Sequence, residues 1–171
     1  MKLVDKKGVL LINLGTPKSP TTEDVRVYLK EFLSDRDVIR MPRFFWLPLL
    51  NFVILRSRPA KSAELYKKVW TEWGSPLLYN TYLQAGLLKK KFECDENEEF
   101  FVDVAMRYGS PSIESKLLQL VKSGYRKIII LPMFPQYSTT TTRSIARKID
   151  EIIMKNKLLD KIEISFIKDF H

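Results

Sequence analysis

Four short apolar runs frame this chain: Gly8–Leu14 (GVLLINL), Phe100–Met106 (FFVDVAM), Lys127–Leu131 (KIIIL) and Ile162–Phe166 (IEISF). The first reads as a buried strand and the others as strands, because each is brief and rich in branched or aromatic residues. Helix signals fill the gaps. Thr21 or Thr22 with Glu23 and Asp24 marks a start, and Val25, Tyr28, Leu29 and Phe32 follow at helical spacing. Pro42 and Pro48 punctuate the segment Phe44–Leu55. Pro59 is expected to open a helix over Ala60–Glu72, and a further helix covers Thr81–Phe92 after the polar loop Gly74-Ser75-Pro76. Glu93–Glu99 is an acidic, solvated connection. Ser110-Pro111 is expected to begin a helix that ends near Lys122, with Gly124 just beyond. Thr139–Lys155 is the last long helix.

Strand, several helices, then strand–helix–strand–helix–strand is the order of an α/β fold. It predicts a Rossmann-like, parallel four-stranded sheet with helices on both faces, in one domain spanning residues 1–171. In such sheets ligands bind beyond the carboxyl ends of the strands. That selects Asn13–Pro17, Met106–Ser110, Pro132–Thr142 and whatever follows Phe166.

Composition removes several classes of chemistry. Cys94 is the only cysteine and His171, the last residue, the only histidine. A disulfide framework, a Cys-based zinc or iron–sulfur site and a Ser-His-Asp triad within the chain therefore lose their residues. Neither G-x-G-x-x-G nor G-x-x-x-x-G-K-[ST] occurs, so nucleotide binding loses its main support. The amino terminus lacks the pattern of a secretory signal, which suggests a cytoplasmic protein.

The net charge is +9, and Val38–Ala63 holds Arg40, Arg43, Arg56, Arg58 and Lys61 with no acidic residue. Such a balance favours an anionic partner. Nucleic acid is not expected, since the basic residues form no motif of a known binding module. Ten of the twelve residues of Phe44–Leu55 are apolar. That is too short for a membrane span, which takes about 20 residues. The segment can rest on an anionic membrane face, line an apolar mouth or be a core helix, but Phe44-Phe45-Trp46 cannot all face one core.

The loops keep two readings each. Asn13–Pro17 is a ligand loop or an ordinary turn. Arg107 and Tyr108 hold a planar anionic ligand, or are a surface cation beside a half-buried phenol. Ser138 and the threonines 139–142 hold an anion at a helix start, or serve as an N-cap, which accounts for only one or two of the hydroxyls.

Six stretches in order, LLINLGTP (10–17), FLSDRDVI (32–39), RSRPAKSAELY (56–66), WGSPL (73–77), MRYGSPSI (106–113) and LPMFPQYSTTTT (131–142), resemble the ferrochelatases, over about Gly8 to His171. The resemblance implies insertion of ferrous iron into a porphyrin, protoporphyrin or coproporphyrin, in heme synthesis. It implies two similar chelatase-like domains with the porphyrin between them, of which this chain matches the first. Leu14 matches a position against the macrocycle near the metal. Residues 38–58 match the membrane-touching lip through which porphyrin enters, with Phe32 and Val38 as lip residues. Arg58, Lys61, Tyr66 and Ser75 match positions that hold the propionates, which suits guanidinium, ammonium and hydroxyl donors. Arg107 and Tyr108 match a pair on the opposite face of the cleft, where the metal approaches. Tyr137, Ser138 and Thr139 match the loop after the third strand. Some members carry a cysteine near Thr139 that helps hold an iron–sulfur cluster, so no cluster and no tightly bound cofactor is expected here.

The family's catalytic histidine lies in a Ser-x-His-Gly-x-Pro-like motif in its second half, with acidic partners later. Neither is found in this sequence, and His171 matches a histidine upstream of the catalytic one. No catalytic residue is therefore assigned. A chain of this kind is expected to need the missing carboxyl-terminal half. The alternatives are a non-catalytic porphyrin- or heme-binding module, one subunit of a split chelatase, or an anion-binding domain on a membrane surface.

Overall fold

The structure is a computed structural model, and it describes residues 5–93 and 98–170. Four parallel strands, β1 (Asp5–Thr16), β2 (Glu98–Gly109), β3 (Lys127–Pro132) and β4 (Glu163–Phe166), form one sheet in the order β2-β1-β3-β4. Val9, Leu10, Leu11 and Ile12 of β1 are all buried. A strand apolar on both faces needs neighbours on both sides and a helical layer above and below.

The helices among the described residues are α1 (Thr22–Leu33), α2 (Arg43–Leu49), α3 (Leu55–Val69), α4 (Pro76–Phe92), α5 (Ile113–Lys122) and α6 (Ser144–Lys155). On one sheet face Leu10, Ile12, Ala105, Ile128 and Ile130 meet Leu117 and Leu120 of α5 and Ile145, Ile149 and Ile152 of α6. On the other, Val9, Leu11, Val104 and Met106 meet Ala85, Leu77 and Leu88 of α4. The even and odd residues of β1 part between these faces as the strand pleat requires. A third apolar cluster sits over the carboxyl ends of β1 and β2. There Val25, Leu29, Trp46, Leu50, Leu55 and Ala63 surround Tyr108, with Leu14 and Phe32 packed against them.

The parallel α/β order matches the sequence reading, but several boundaries shift. β1 and β2 run further than their apolar runs, because Gly15 pairs with Tyr108 and Thr16 with Gly109. Both glycines have positive φ. A Cβ at Gly15 would lie 1.9 Å from the Tyr108 carbonyl oxygen, and one at Gly109 2.7 Å from that of Thr16. The strands approach there more closely than any side chain allows. Arg107 and Tyr108 are thus ladder residues, not loop residues.

Pro59 starts no helix. α2, a π-helical turn (Leu50–Ile54) and α3 follow one another without a break, and Pro59 lies inside α3. Proline has no N–H, so the carbonyl four residues back is left without its helical partner. Arg26 Nε donates to that Leu55 oxygen at 3.1 Å. α4 begins at Pro76 in the first helical turn, not at Thr81, where a missing N–H costs nothing. α5 begins after Ser112, whose hydroxyl accepts from the Ser115 N–H at 3.2 Å. The last helix opens as a π-helical turn, Thr139–Arg143, before α6. Trp46 is buried and donates to the Leu33 carbonyl at 2.7 Å, while Phe44 and Phe45 face outward. Most of the acidic connection, including Cys94, and His171 lie outside the described residues.

Candidate functional site

At the carboxyl end of β1 lies a cavity of about 330 Å³, lined by Leu14, Thr16, Tyr28, Tyr66, Trp70, Ser75 and Leu77 among others. Its walls are aromatic. The Tyr66 ring meets Tyr28 edge-on at 6.4 Å and Trp70 edge-on at 6.2 Å. Such walls suit a flat, apolar ligand. Burial pushes the pKa of Tyr28 and of Tyr66 above that of a free phenol. Both stay neutral at physiological pH and serve as hydrogen-bonding hydroxyls rather than bases. Ser75 is buried at the head of α4 and makes no side-chain cap bond, which leaves its hydroxyl for another partner.

Of the residues expected from sequence, Leu14, Tyr66 and Ser75 meet at this cavity. Phe32 and Val38 pack against the neighbouring cluster instead. Phe32 stacks on Tyr28 at 6.1 Å and meets the Tyr108 ring edge-on at 5.2 Å. Arg58 and Lys61 are exposed on α3 and do not line the cavity. Arg58 precedes Tyr66 by two helical turns, about 12 Å along the axis. Tyr28 and Trp70 were missed as lining residues. Trp70 carried a signal, since it follows Tyr66 by four positions and shares its helical face.

Arg107 and Tyr108 point into a buried polar centre. Asp35, 7% exposed, sits just past α1 in the turn that leads towards α2. Its Oδ2 accepts from Tyr108 Oη at 2.7 Å, from Ser144 Oγ at 2.6 Å and from Arg107 Nη2. Its Oδ1 accepts from the Asp37 N–H at 2.8 Å and from Arg147 Nη2. Burial alone would raise this carboxyl. The hydrogen bonds from Ser144, Asp37 and Tyr108, with the Arg107 charge, outweigh it and hold Asp35 well below the usual carboxylate range. Burial drives Tyr108 the other way, well above an ordinary phenol. Asp37, 3% exposed, accepts on Oδ1 from Arg143 Nε at 3.1 Å and Nη2 at 2.7 Å. Sequence reasoning used these aspartates only as letters of a motif. Two acids two apart, between apolar Leu33 and Val38, were the available signal.

Tyr137, Ser138 and Thr139 form a third group, apart from the cavity at Leu14. Tyr137 is exposed and borders a groove of about 520 Å³ between α6 and β4, lined in part by Ile149, Ile153 and Phe166. Thr139 Oγ1 accepts from Arg40 Nη2 at 2.9 Å, and Ser138 Oγ accepts from Thr141 Oγ1 at 2.9 Å. These hydroxyls largely bond to one another and to Arg40. Among the described residues no group of three or more His, Cys, Asp or Glu gathers as for a metal ion, and no helix is long and apolar enough to cross a membrane.

Parallel α/β architecture with an aromatic cavity at the strand ends is the arrangement in which open sheets offer a place for a ligand. The ferrochelatase family model matches residues 6–171, so the chain belongs to the ferrochelatase family. It is 48% identical over 166 residues to a coproporphyrin III ferrochelatase of Lactococcus lactis subsp. lactis, covering 97% of this chain and 49% of that protein. It is 45% identical over 167 residues to a ferrochelatase of Idiomarina loihiensis, covering 98% of this chain and 45% of that protein. A ferrochelatase of Alcanivorax borkumensis is 46% identical over 166 residues, 96% of this chain and 49% of that protein. The chain thus spans about half the length of the curated relatives it matches, and the matching part is their amino-terminal half.

Proposed function

We propose that this chain supplies the porphyrin-binding wall of a ferrochelatase, which inserts ferrous iron, as substrate, into a porphyrin during heme synthesis. The observation that carries the reading is the cavity at the end of β1, where Leu14, Tyr66 and Ser75 converge on an aromatic, largely apolar surface in a chain of this family. A macrocycle is flat and apolar with acidic side arms. Tyr28, Tyr66 and Trp70 suit its faces, and the Ser75 hydroxyl with the exposed cations of α3, Arg58 and Lys61, suits its propionates. The exposed apolar residues Phe44, Phe45, Phe52 and Val53, flanked by arginines, are read as a contact with an anionic membrane face.

Metallation requires that two pyrrole protons leave as the metal enters, so a base that titrates near neutrality must be at hand. The site groups whose ionisation is displaced move away from neutrality, Tyr28, Tyr66 and Tyr108 upward and Asp35 downward. The family resemblance sets the base in a Ser-x-His-Gly-x-Pro-like motif not found in this sequence, so the base is assigned to a carboxyl-terminal half, whether joined to this chain or separate. No iron–sulfur cluster and no resident cofactor is assigned.

The test is a titration of the 171-residue chain with protoporphyrin IX and with coproporphyrin III, read by the Soret band, followed by addition of ferrous iron or zinc. A Soret shift without metal insertion is expected, with insertion restored on adding a ferrochelatase carboxyl-terminal half. No shift with either porphyrin overturns the reading. Rapid insertion by the chain alone overturns the assignment of the base elsewhere.

A further inference from the structure

We propose that Asp37 and Arg40 are positioning residues. They strap the segment carrying Val38, which packs in the apolar cluster with the cavity residues Tyr28, Tyr66 and Leu14, to the loop carrying Tyr137, Ser138 and Thr139, so that the support of the cavity wall and this loop move as one body. This rests on the reading above.

The straps join places 106 and 99 residues apart in sequence, Asp37 to Arg143 and Arg40 to Thr139. The first is two N–H donors of one guanidinium on a single buried oxygen, at 3.1 and 2.7 Å. Arg147 Nη1 lies 3.1 Å from the other oxygen of Asp37 as an ion pair, without the angle of a hydrogen bond. A carboxylate this buried holds its partners strongly, because leaving it unpaired is costly.

Side chains set the place of this segment, since its backbone bonds turn back on themselves. The Val38 and Ile39 N–H groups both reach the Asp35 carbonyl, at 3.3 and 2.9 Å. The far end is coupled to backbone. The Arg143 N–H closes the π-helical turn on the Ser138 carbonyl at 3.1 Å. Arg143 thus joins the Asp37 carboxylate, through its guanidinium, to the Ser138 peptide, through its N–H, next to Tyr137 and Thr139. Small errors in a ligand-positioning wall are amplified in binding.

The experiment compares the chain with Asp37→Asn, Arg143→Gln, their double variant and Arg40→Gln. Protoporphyrin IX affinity is read by Soret titration, and amide hydrogen exchange is read without ligand. Each variant of the Asp37–Arg143 pair is expected to weaken binding about tenfold, with the double no weaker than either single within about twofold. Arg143→Lys restores part of the loss. Faster exchange is expected at 138–143 when Asp37 is changed, and at 38–39 when Arg143 is changed. Singles that bind normally, or losses that simply add, overturn the proposal. If Asp37→Asn does not fold, the exposed Arg143→Gln and Arg40→Gln carry the same test. If the parent chain binds no porphyrin, the functional reading fails, and exchange decides the straps: unchanged protection at one loop when the other is altered sinks them.

Discussion

The cavity beside Leu14 and the polar centre at Asp35 sit at the ends of the same two strands and are built on opposite terms. Around Asp35 both oxygens are taken by named donors, and Arg107, Tyr108, Ser144 and Arg147 all converge on one carboxylate. Around Leu14 the walls touch loosely across about 330 Å³ of open space. Closing every polar contact fixes geometry, whereas leaving apolar and hydroxyl surface open invites a ligand. The Arg107–Tyr108 pair, which the resemblance sets on the metal's side of the cleft, bonds to Asp35 in the closed region.

That contrast can be broken most forcefully at its centre. Asp35→Ala takes its carboxylate partner from the buried Arg107 guanidinium and should cost about 3–5 kcal/mol, read as a lower urea midpoint or outright loss of folding. Gly15→Ala forces a methyl onto the Tyr108 carbonyl and an unfavourable φ of +117°. It should cost about 3 kcal/mol, seen in the same assay. Acid supplies a third test. The Asp35 carboxyl ionises at lower pH folded than unfolded, so its contribution is present above the unfolded value of about 4 and fades as pH falls below it. The unfolding free energy from urea titrations should fall as pH drops below about 4, approaching a slope of about 1.4 kcal/mol per pH unit towards pH 3 and below, and less steeply in Asp35→Asn. Tyr66→Phe, at the open cavity, should leave stability within about 0.5 kcal/mol while weakening protoporphyrin binding severalfold by Soret titration. Smallest of all, Glu64→Ala removes an exposed pair with Lys67 and should leave the urea midpoint almost unchanged.

Much of the frame was legible because parallel strands buried on both faces must be written as apolar runs, as GVLLINL is. The boundaries were less so. The ladder extends through Gly15 and Gly109, a residue type that strands disfavour, held by a close backbone approach that no local pattern encodes. Pro59 looked like a helix start because proline usually is one. Its place inside α3 depends on Arg26, 29 residues away from Leu55. Within the site, Leu14, Tyr66 and Ser75 could be found from their motifs. The partners of Arg107 could not, since a carboxylate 72 positions earlier answers it only once the fold exists.

The pairing of β1 with β2 has a consequence for how the molecule is made. Asn13 lies opposite Met106, 93 residues later, with α1 to α4 strung between them. Neighbours in the sheet are strangers along the chain, so their ladder closes only after a large loss of chain freedom, growing as about (3/2)RT ln n. Helical turns and the α1–α3 contacts form at short range and need not wait. The β1–β2 seam, which carries Leu14 on one side and Tyr108 on the other, is a high-contact-order step. The charged centre therefore forms only when that seam zips and brings Arg107 and Tyr108 to Asp35, and it does not exist in a chain that has only its helices.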